Sequence, residues 1–145
     1  LIEITDSFKE TSNKSFIIKN ENNKLDPVIR RKAEITYGLR NFIGNASKFS
    51  NSFVQIEIES SDQFISVKVC DDGPGFPADI KNFLGEPYIH SKNKIVDAKS
   101  GLGLGTFIGK TLLERMKASV IFDKCPKTNG AMVIIKWQTK DLLAI

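Results

Sequence analysis

Three short segments hold residues whose types and spacing could do chemistry. In the first, NFIGNASKFS, Asn41, Asn45 and Lys48 recur at i, i+4 and i+7 and so share one helix face, while Leu39, Phe42, Ile43 and Ala46 take the other. Two amides offer oxygens to a cation and the lysine offers charge to a phosphate, although a solvated helix face would satisfy the same pattern. In the second, VCDDGPGFP, Asp71 continues the alternation of Ile65, Val67 and Val69, which aims it at the buried side of a strand. A carboxylate buried alone costs several kcal/mol, so it must meet a donor, such as the exocyclic amino group of adenine. Gly73 and Gly75 lack a Cβ and would let backbone approach a flat base, or simply make a turn after the strand.

The third segment, SGLGLGTFIGKTLLERMK, runs a glycine-rich turn at Gly101, Gly103 and Gly105 into an amphipathic helix. Exposed N–H groups and the positive end of the helix dipole converge at such a turn and suit a phosphate. Two superficially similar motifs fail. GTFIGKT has three residues between its glycines where a P-loop needs four, and Lys110 lies within the helical pattern. Thr106 stands where a dinucleotide fingerprint would need its third glycine, and no βαβ unit surrounds it.

The elements that must position these residues follow from periodicity. Ser15 to Lys19 reads as a strand and Asn20 to Lys24 as a turn. Asp26 and Pro27 supply an N-cap and a first-turn proline for a helix running towards Phe49. Val54, Ile56 and Ile58, then Ile65, Val67 and Val69, alternate with polar residues across a Ser-Ser-Asp turn, the pattern of an antiparallel hairpin with one buried face. Asp71 to Gly105 has little periodicity beyond a short helical pattern near Ala78 to Phe83, and its length predicts a cover over a site. Leu104, Phe107, Ile108, Thr111, Leu112 and Met116 then keep helical spacing, and strands are expected near Ser119 to Asp123 and Ala131 to Trp137. This order, β-α-β-β-lid-α-β-β, predicts an α+β two-layer sandwich: a mixed, mostly antiparallel sheet covered on one face by helices.

Length and composition bound the rest. Residues 1–145 fit one domain, and 41% hydrophobic with 26% charged residues supply a soluble core. No apolar run approaches the ~20 residues of a membrane span. Leu1 in place of an initiator Met suggests a piece of a longer protein. The net charge of +4 is scattered, without the basic or aromatic stripe of a nucleic-acid binder. Cys70 and Cys125 read as isolated thiols without metal-ligand spacing, which fits a reducing cytoplasm.

Taken in order, NxxxNxxK, DxGxG and GxGxG resemble the N, G1 and G2 boxes of the GHKL ATPase and histidine kinase superfamily, closely over Arg40 to Lys117. Gly85-Glu86-Pro87-Tyr88 together with GTFIGKTLLERMKAS most resembles the RegB/PrrB branch of redox-responding sensor kinases. The resemblance implies a Bergerat ATP-binding fold and Mg²⁺-ATP as cofactor. Asn45 would coordinate Mg²⁺, with Asn41 and Lys48 as companions near the phosphates. Phe49 would stack on adenine, Asp71 would read it, and Gly73 and Gly75 would shape its pocket. Leu102, Gly103, Leu104 and Gly105 would line the triphosphate. Phe83 to Ser100 would be the lid, with Lys92, Lys94 and Lys99 able to reach phosphates or serving only as solubilising charge.

The same resemblance implies a γ-phosphoryl transfer to a histidine on a separate dimerisation hairpin preceding this domain, and through that hairpin to a cognate response regulator. The domain itself would be cytoplasmic and need no membrane contact, whether or not its parent is anchored in the inner membrane. His90, the only histidine, lies in the lid segment beside Ser91 and Lys92 and reads as a loop residue, not the acceptor. ATP-hydrolysing relatives carry glutamate where Asn41 stands, which favours transfer over hydrolysis. Two alternatives stay open: a GHKL ATPase of the gyrase, chaperone or mismatch-repair kind, and a catalytically silent docking module. One departure is the lack of glycine at Lys117 or Ala118, where relatives often carry one after the G2 helix.

Overall fold

A computed structural model describes residues 3–4, 14–22, 30, 32–76 and 104–145. Five strands, β1 (Ser15–Asn22), β2 (Phe53–Ser60), β3 (Phe64–Asp71), β4 (Ser119–Lys124) and β5 (Ala131–Gln138), form one sheet in the order β1-β2-β3-β5-β4. β1 runs parallel to β2 and the other pairs are antiparallel, so the sheet is mixed as expected. Helices α1 (Ala33–Phe49) and α2 (Leu104–Arg115) pack side by side, and a short α3 (Thr139–Leu143) closes the chain.

One face of the sheet carries the core. Ile35, Leu39, Phe42, Ile43 and Ala46 of α1 are buried with Val54, Ile56 and Ile58 of β2, Ile65, Val67 and Val69 of β3, and Val133, Ile135 and Trp137 of β5. Each such side chain withdrawn from water contributes about 1.5–3 kcal/mol, and the apolar stripe of α1 meets the period-two stripes of the strands. Trp137 also donates its indole N–H to the Met116 carbonyl at 3.1 Å, tying β5 to the end of α2.

Three local expectations are corrected. Asn20 to Asn22, expected in a turn with Asn23 and Lys24, belong instead to β1, which stays in register with β2 as far as Ser60, while Asn23 and Lys24 lie outside the described residues. Ladder hydrogen bonds along the whole neighbour outweigh the turn preference of asparagine. The helix expected from Asp26 begins at Ala33, with Lys32 in extended backbone at φ −120° and ψ 135°. Helical burial starts at Ile35, and a helix without a packed face is marginal in water. Asp26 and Pro27 lie outside the described residues. The third correction adds α3, which the sequence reading did not assign and which is pinned by Thr139, whose N–H donates to the Gln63 carbonyl and whose hydroxyl donates to that of Ser61.

The chain leaves α2 through a complete C-terminal cap. Lys117 N–H donates to the Glu114 carbonyl and Ala118 N–H to that of Leu113, with Lys117 at φ 71°. These are the two bonds of a Schellman motif, whose left-handed position glycine ordinarily fills. The glycine missing at Lys117 is therefore missing where the backbone still makes the glycine conformation.

Candidate nucleotide site

A cavity of about 200 Å³ opens between the sheet and the two long helices. Its walls come from Phe42, Asn45, Ala46 and Phe49 of α1, Val69 and Asp71 of β3, and Ala131 and Val133 of β5. Phe122 of β4, Thr106 of α2 and the segment Pro74-Gly75-Phe76 complete them. Phe122 stands edge-on to both Phe42 and Phe76, with ring centroids 5.8 Å and 5.7 Å apart. Pockets for drug-sized ligands run about 300–1,000 Å³, so this space suits one ring system, not a whole nucleotide.

Asp71 is the charged residue of that apolar chamber and is 3% exposed. Its Oδ1 accepts the Gly73 N–H at 2.9 Å and the Ala131 N–H at 3.2 Å. Its backbone carbonyl accepts the Thr128 hydroxyl at 2.6 Å, and Thr128 Oγ1 accepts the Gly130 N–H at 3.1 Å. The β4–β5 turn is thus fastened to the end of β3. Burial pushes the Asp71 carboxyl above its ordinary range; the two N–H bonds pull against this and the neighbouring Asp72 charge adds to it. With Oδ1 engaged twice, Oδ2 is the acceptor left for a ligand's donor.

The two glycines after Asp71 are used differently. Gly73 is buried where a Cβ would overlap the Phe49 carbonyl, so the absence of a side chain lets the loop close against the end of α1. Gly75 sits at φ 80° with the Asn129 carbonyl 3.1 Å from where a Cβ would stand. Beside them, Asp72 gathers the N–H groups of Asn51, Ser52 and Phe53 and the Ser52 hydroxyl. Burial works against the ionised form of Asp72, yet the Ser52 hydroxyl and these N–H groups hold its carboxyl well below the usual range.

The structure brings Asn45, Phe49, Asp71 and Gly75 to one cavity, with Gly73 directly behind. Lys48 is exposed at the rim, its Nζ 5.4 Å from the centre of the Phe49 ring. Asn41 points into the α1–α2 seam, with its Nδ2 2.9 Å from a Cβ position at Gly105 and its Oδ1 3.2 Å from one at Gly109. That Oδ1 is the one buried side-chain polar atom without a hydrogen-bond partner among the described residues. Leu104 and Gly105 open α2, whereas Leu102, Gly103, the lid Phe83 to Ser100 with Lys92, Lys94 and Lys99, and His90 lie outside the described residues.

Sequence reasoning missed Thr106, Phe76, Phe122 and the Thr128-Asn129-Gly130 turn. Of these only the turn carried a local signal, an Asn-Gly pair between two strands. It also read Cys70 and Cys125 as isolated. They are free thiols sharing a side-chain hydrogen bond, since the order β3-β5-β4 brings the end of β3 near the start of the β4–β5 turn. Burial, then that bond, pushes the Cys70 thiol up to about 12, so it stays protonated at neutral pH.

Residues 32–141 match the family described as histidine kinase-, DNA gyrase B-, and HSP90-like ATPase. The sensor histidine kinase RegB of Cereibacter sphaeroides is 35% identical over 135 residues, 82% of this chain and 29% of RegB. A putative sensor histidine kinase, NtrY-like, of Rickettsia bellii is 29% identical over 89 residues, 61% of this chain and 13% of that protein. The chain therefore spans under a third of the length of these relatives. Among solved structures, the catalytic domain of the histidine kinase ThkA superposes with a TM-score of 0.74 at 23% identity, covering 94% of this chain and 88% of that one. The mycobacterial sensor histidine kinase MprB gives 0.72 at 20%, covering 94% of both chains. Fold, sequence and the order of the three boxes agree: the chain belongs to the family of histidine kinase-, DNA gyrase B- and HSP90-like ATPases, and its likeness within that family runs to the sensor histidine kinases.

Proposed function

We propose that residues 1–145 are a single catalytic domain that binds Mg²⁺-ATP and donates the γ-phosphoryl group to a histidine on a separate hairpin of the same protein. The observation that carries this reading is Asp71, a buried carboxylate with one oxygen engaged by backbone and the other left for a donor, set in a largely apolar chamber with aromatic walls. Adenine supplies both a flat apolar face and an amino donor. Phe49 and Phe76 are the rings best placed to cover it, and the ribose and phosphates would extend beyond the chamber towards Asn45 and the start of α2.

The metal side fits an oxygen-ligated cation. Among the described residues no group of three His, Cys, Asp or Glu could hold a metal ion, whereas Asn45 offers an amide oxygen and Asn41 an oxygen that lacks a donor. Mg²⁺ usually keeps several waters and is held by few protein groups plus substrate phosphates, which is what such a sparse set allows. When bound, Mg²⁺ would neutralise charge on the β- and γ-phosphates. Lys48, over the Phe49 ring, would bring its positive charge to the same side.

Transfer is favoured over hydrolysis by Asn41. An amide oxygen cannot take a proton from water at neutral pH, so the position that carries glutamate in ATP-hydrolysing relatives has no general base here. The solved ShkA structure that shares this fold, with a TM-score of 0.70 at 21% identity, is a complex with AMPPNP, an ATP analogue. Its nucleotide supports the same class of ligand for this chain.

A fluorescent ATP analogue titrated with and without Mg²⁺ tests the binding half. Saturable binding that strengthens with Mg²⁺, and loses that gain in Asn45→Ala, is expected. Radiolabelled ATP supplied with the full-length kinase's hairpin tests the transfer half, with label on histidine as the expected product. A folded domain that binds no nucleotide, or that steadily releases phosphate on its own, overturns the proposal in favour of a docking module or an ATPase respectively.

A further inference from the structure

Thr106 is 1% exposed and is the only hydroxyl-bearing side chain among the described residues lining the cavity. The same cavity is lined by Phe42, Ala46, Val69, Phe122 and Val133, none of which can hydrogen-bond through its side chain. A buried hydroxyl without a partner is costly, and valine would fill the same volume without that cost. Among the described residues its partner is Asn45, whose Nδ2 donates to Thr106 Oγ1 at 3.5 Å across the α1–α2 junction.

We infer that Thr106 is a positioning residue for the metal-side asparagine. This rests on the Mg²⁺-ATP reading of the site. An amide can present either end to a hydroxyl, because a hydroxyl both donates and accepts. A cation can use only the amide oxygen. With the NH₂ group of Asn45 held on Thr106 Oγ1, Oδ1 is the end that would be left for a cation. A cation held by Oδ1 would make the N–H groups stronger donors, and the 3.5 Å bond to Thr106 would then strengthen. Thr106 also belongs to the first turn of α2, so the same bond joins the cation site to the helix that follows the glycine-rich turn.

The test is the ratio of ATP dissociation constants measured in EDTA and in Mg²⁺, for wild type, Thr106→Val, Thr106→Ser, Asn45→Ala and the double variant Thr106→Val/Asn45→Ala. Taking the ratio cancels any change in how the pocket wall receives a nucleotide. Thr106→Val is expected to shrink the Mg²⁺ gain about three- to ten-fold. Thr106→Ser keeps the hydroxyl and should stay within about two-fold of wild type. Removing Asn45 abolishes the gain, and adding Thr106→Val to it should change the ratio no further. A wild-type ratio in Thr106→Val, or an effect that persists in the double variant, overturns the positioning role while leaving the nucleotide reading intact. If wild type binds ATP with no Mg²⁺ gain, or does not bind it, the reading on which the inference rests falls as well.

Discussion

Replacing Asp71 with asparagine keeps the shape of the side chain and turns one acceptor into a donor. Asparagine Oδ1 can take the N–H groups of Gly73 and Ala131 that now reach Asp71 Oδ1 at 2.9 Å and 3.2 Å. Its Nδ2 then stands where Oδ2 would meet the adenine amino group, donor facing donor. Hydrogen bonds to a charged group contribute about 1.5–3 kcal/mol, so ATP affinity should fall about ten- to a hundred-fold. ITP carries an oxygen where adenine has its amino group, and Nδ2 can donate to it. The preference for ATP over ITP, measured by competition against a fluorescent nucleotide, should therefore fall by at least about ten-fold.

Stability gives an independent arm of the same experiment. Burial raises the folded pKa of Asp71 above its unfolded value, so the ionised group costs stability at every pH above the folded pKa. The cost disappears as pH falls through that raised value towards the ordinary carboxylate range. Asparagine removes it at neutral pH, and the nucleotide-free variant should melt at or above the wild-type temperature. An unchanged ATP-to-ITP ratio refutes the reasoning. A large drop in melting temperature would instead assign Asp71 to holding the β4–β5 turn.

Three further outcomes follow from the geometry. Lys117→Gly should stabilise the domain by about 0.5–1 kcal/mol, the αL penalty of about 1–2 less the entropy glycine restores to the unfolded chain, and raise the midpoint roughly 2–4 °C per kcal/mol. A midpoint at or below wild type would contradict this. Gly73→Ala must push the loop off the Phe49 carbonyl, and a loss of about 1–3 kcal/mol in urea unfolding is expected together with weaker nucleotide binding. Asp72→Ala should cost about 1 kcal/mol at neutral pH and flatten the acid limb of the stability profile. The depressed carboxyl of Asp72 stabilises the fold above its unfolded pKa and loses that contribution as pH falls through its folded value, so equal acid sensitivity of variant and wild type would count against it.

What the sequence made legible was whatever has a period. The opposed faces of α1 and the burial of Asp71 at the end of an alternating strand could be read because 3.6 and 2 residues per repeat place side chains without reference to the rest of the chain. Thr106 and Phe122 carried no such signal. They became wall residues only because α2 crosses α1 at that height and β4 joins the sheet beyond β5. The extension of β1 to Asn22 depended on the length of its neighbour β2. Lys117 shows the opposite limit: the sequence exposed a missing glycine, and the backbone kept the glycine geometry regardless.

β5 is the last strand in the chain, yet it is seated between β3 and β4. Part of the wall around Asp71, namely Ala131, Val133 and the bond from Ala131 N–H, arrives with it. During synthesis, the edges of β3 and β4 that face β5 therefore stay unpaired until residues beyond Ala131 leave the ribosome. A ligand of the chamber would give no help to folding over that interval, because the chamber still lacks its β5 wall. A ligand of the chamber would protect only the finished domain, so the step most exposed to edge-to-edge misassembly is completed without it.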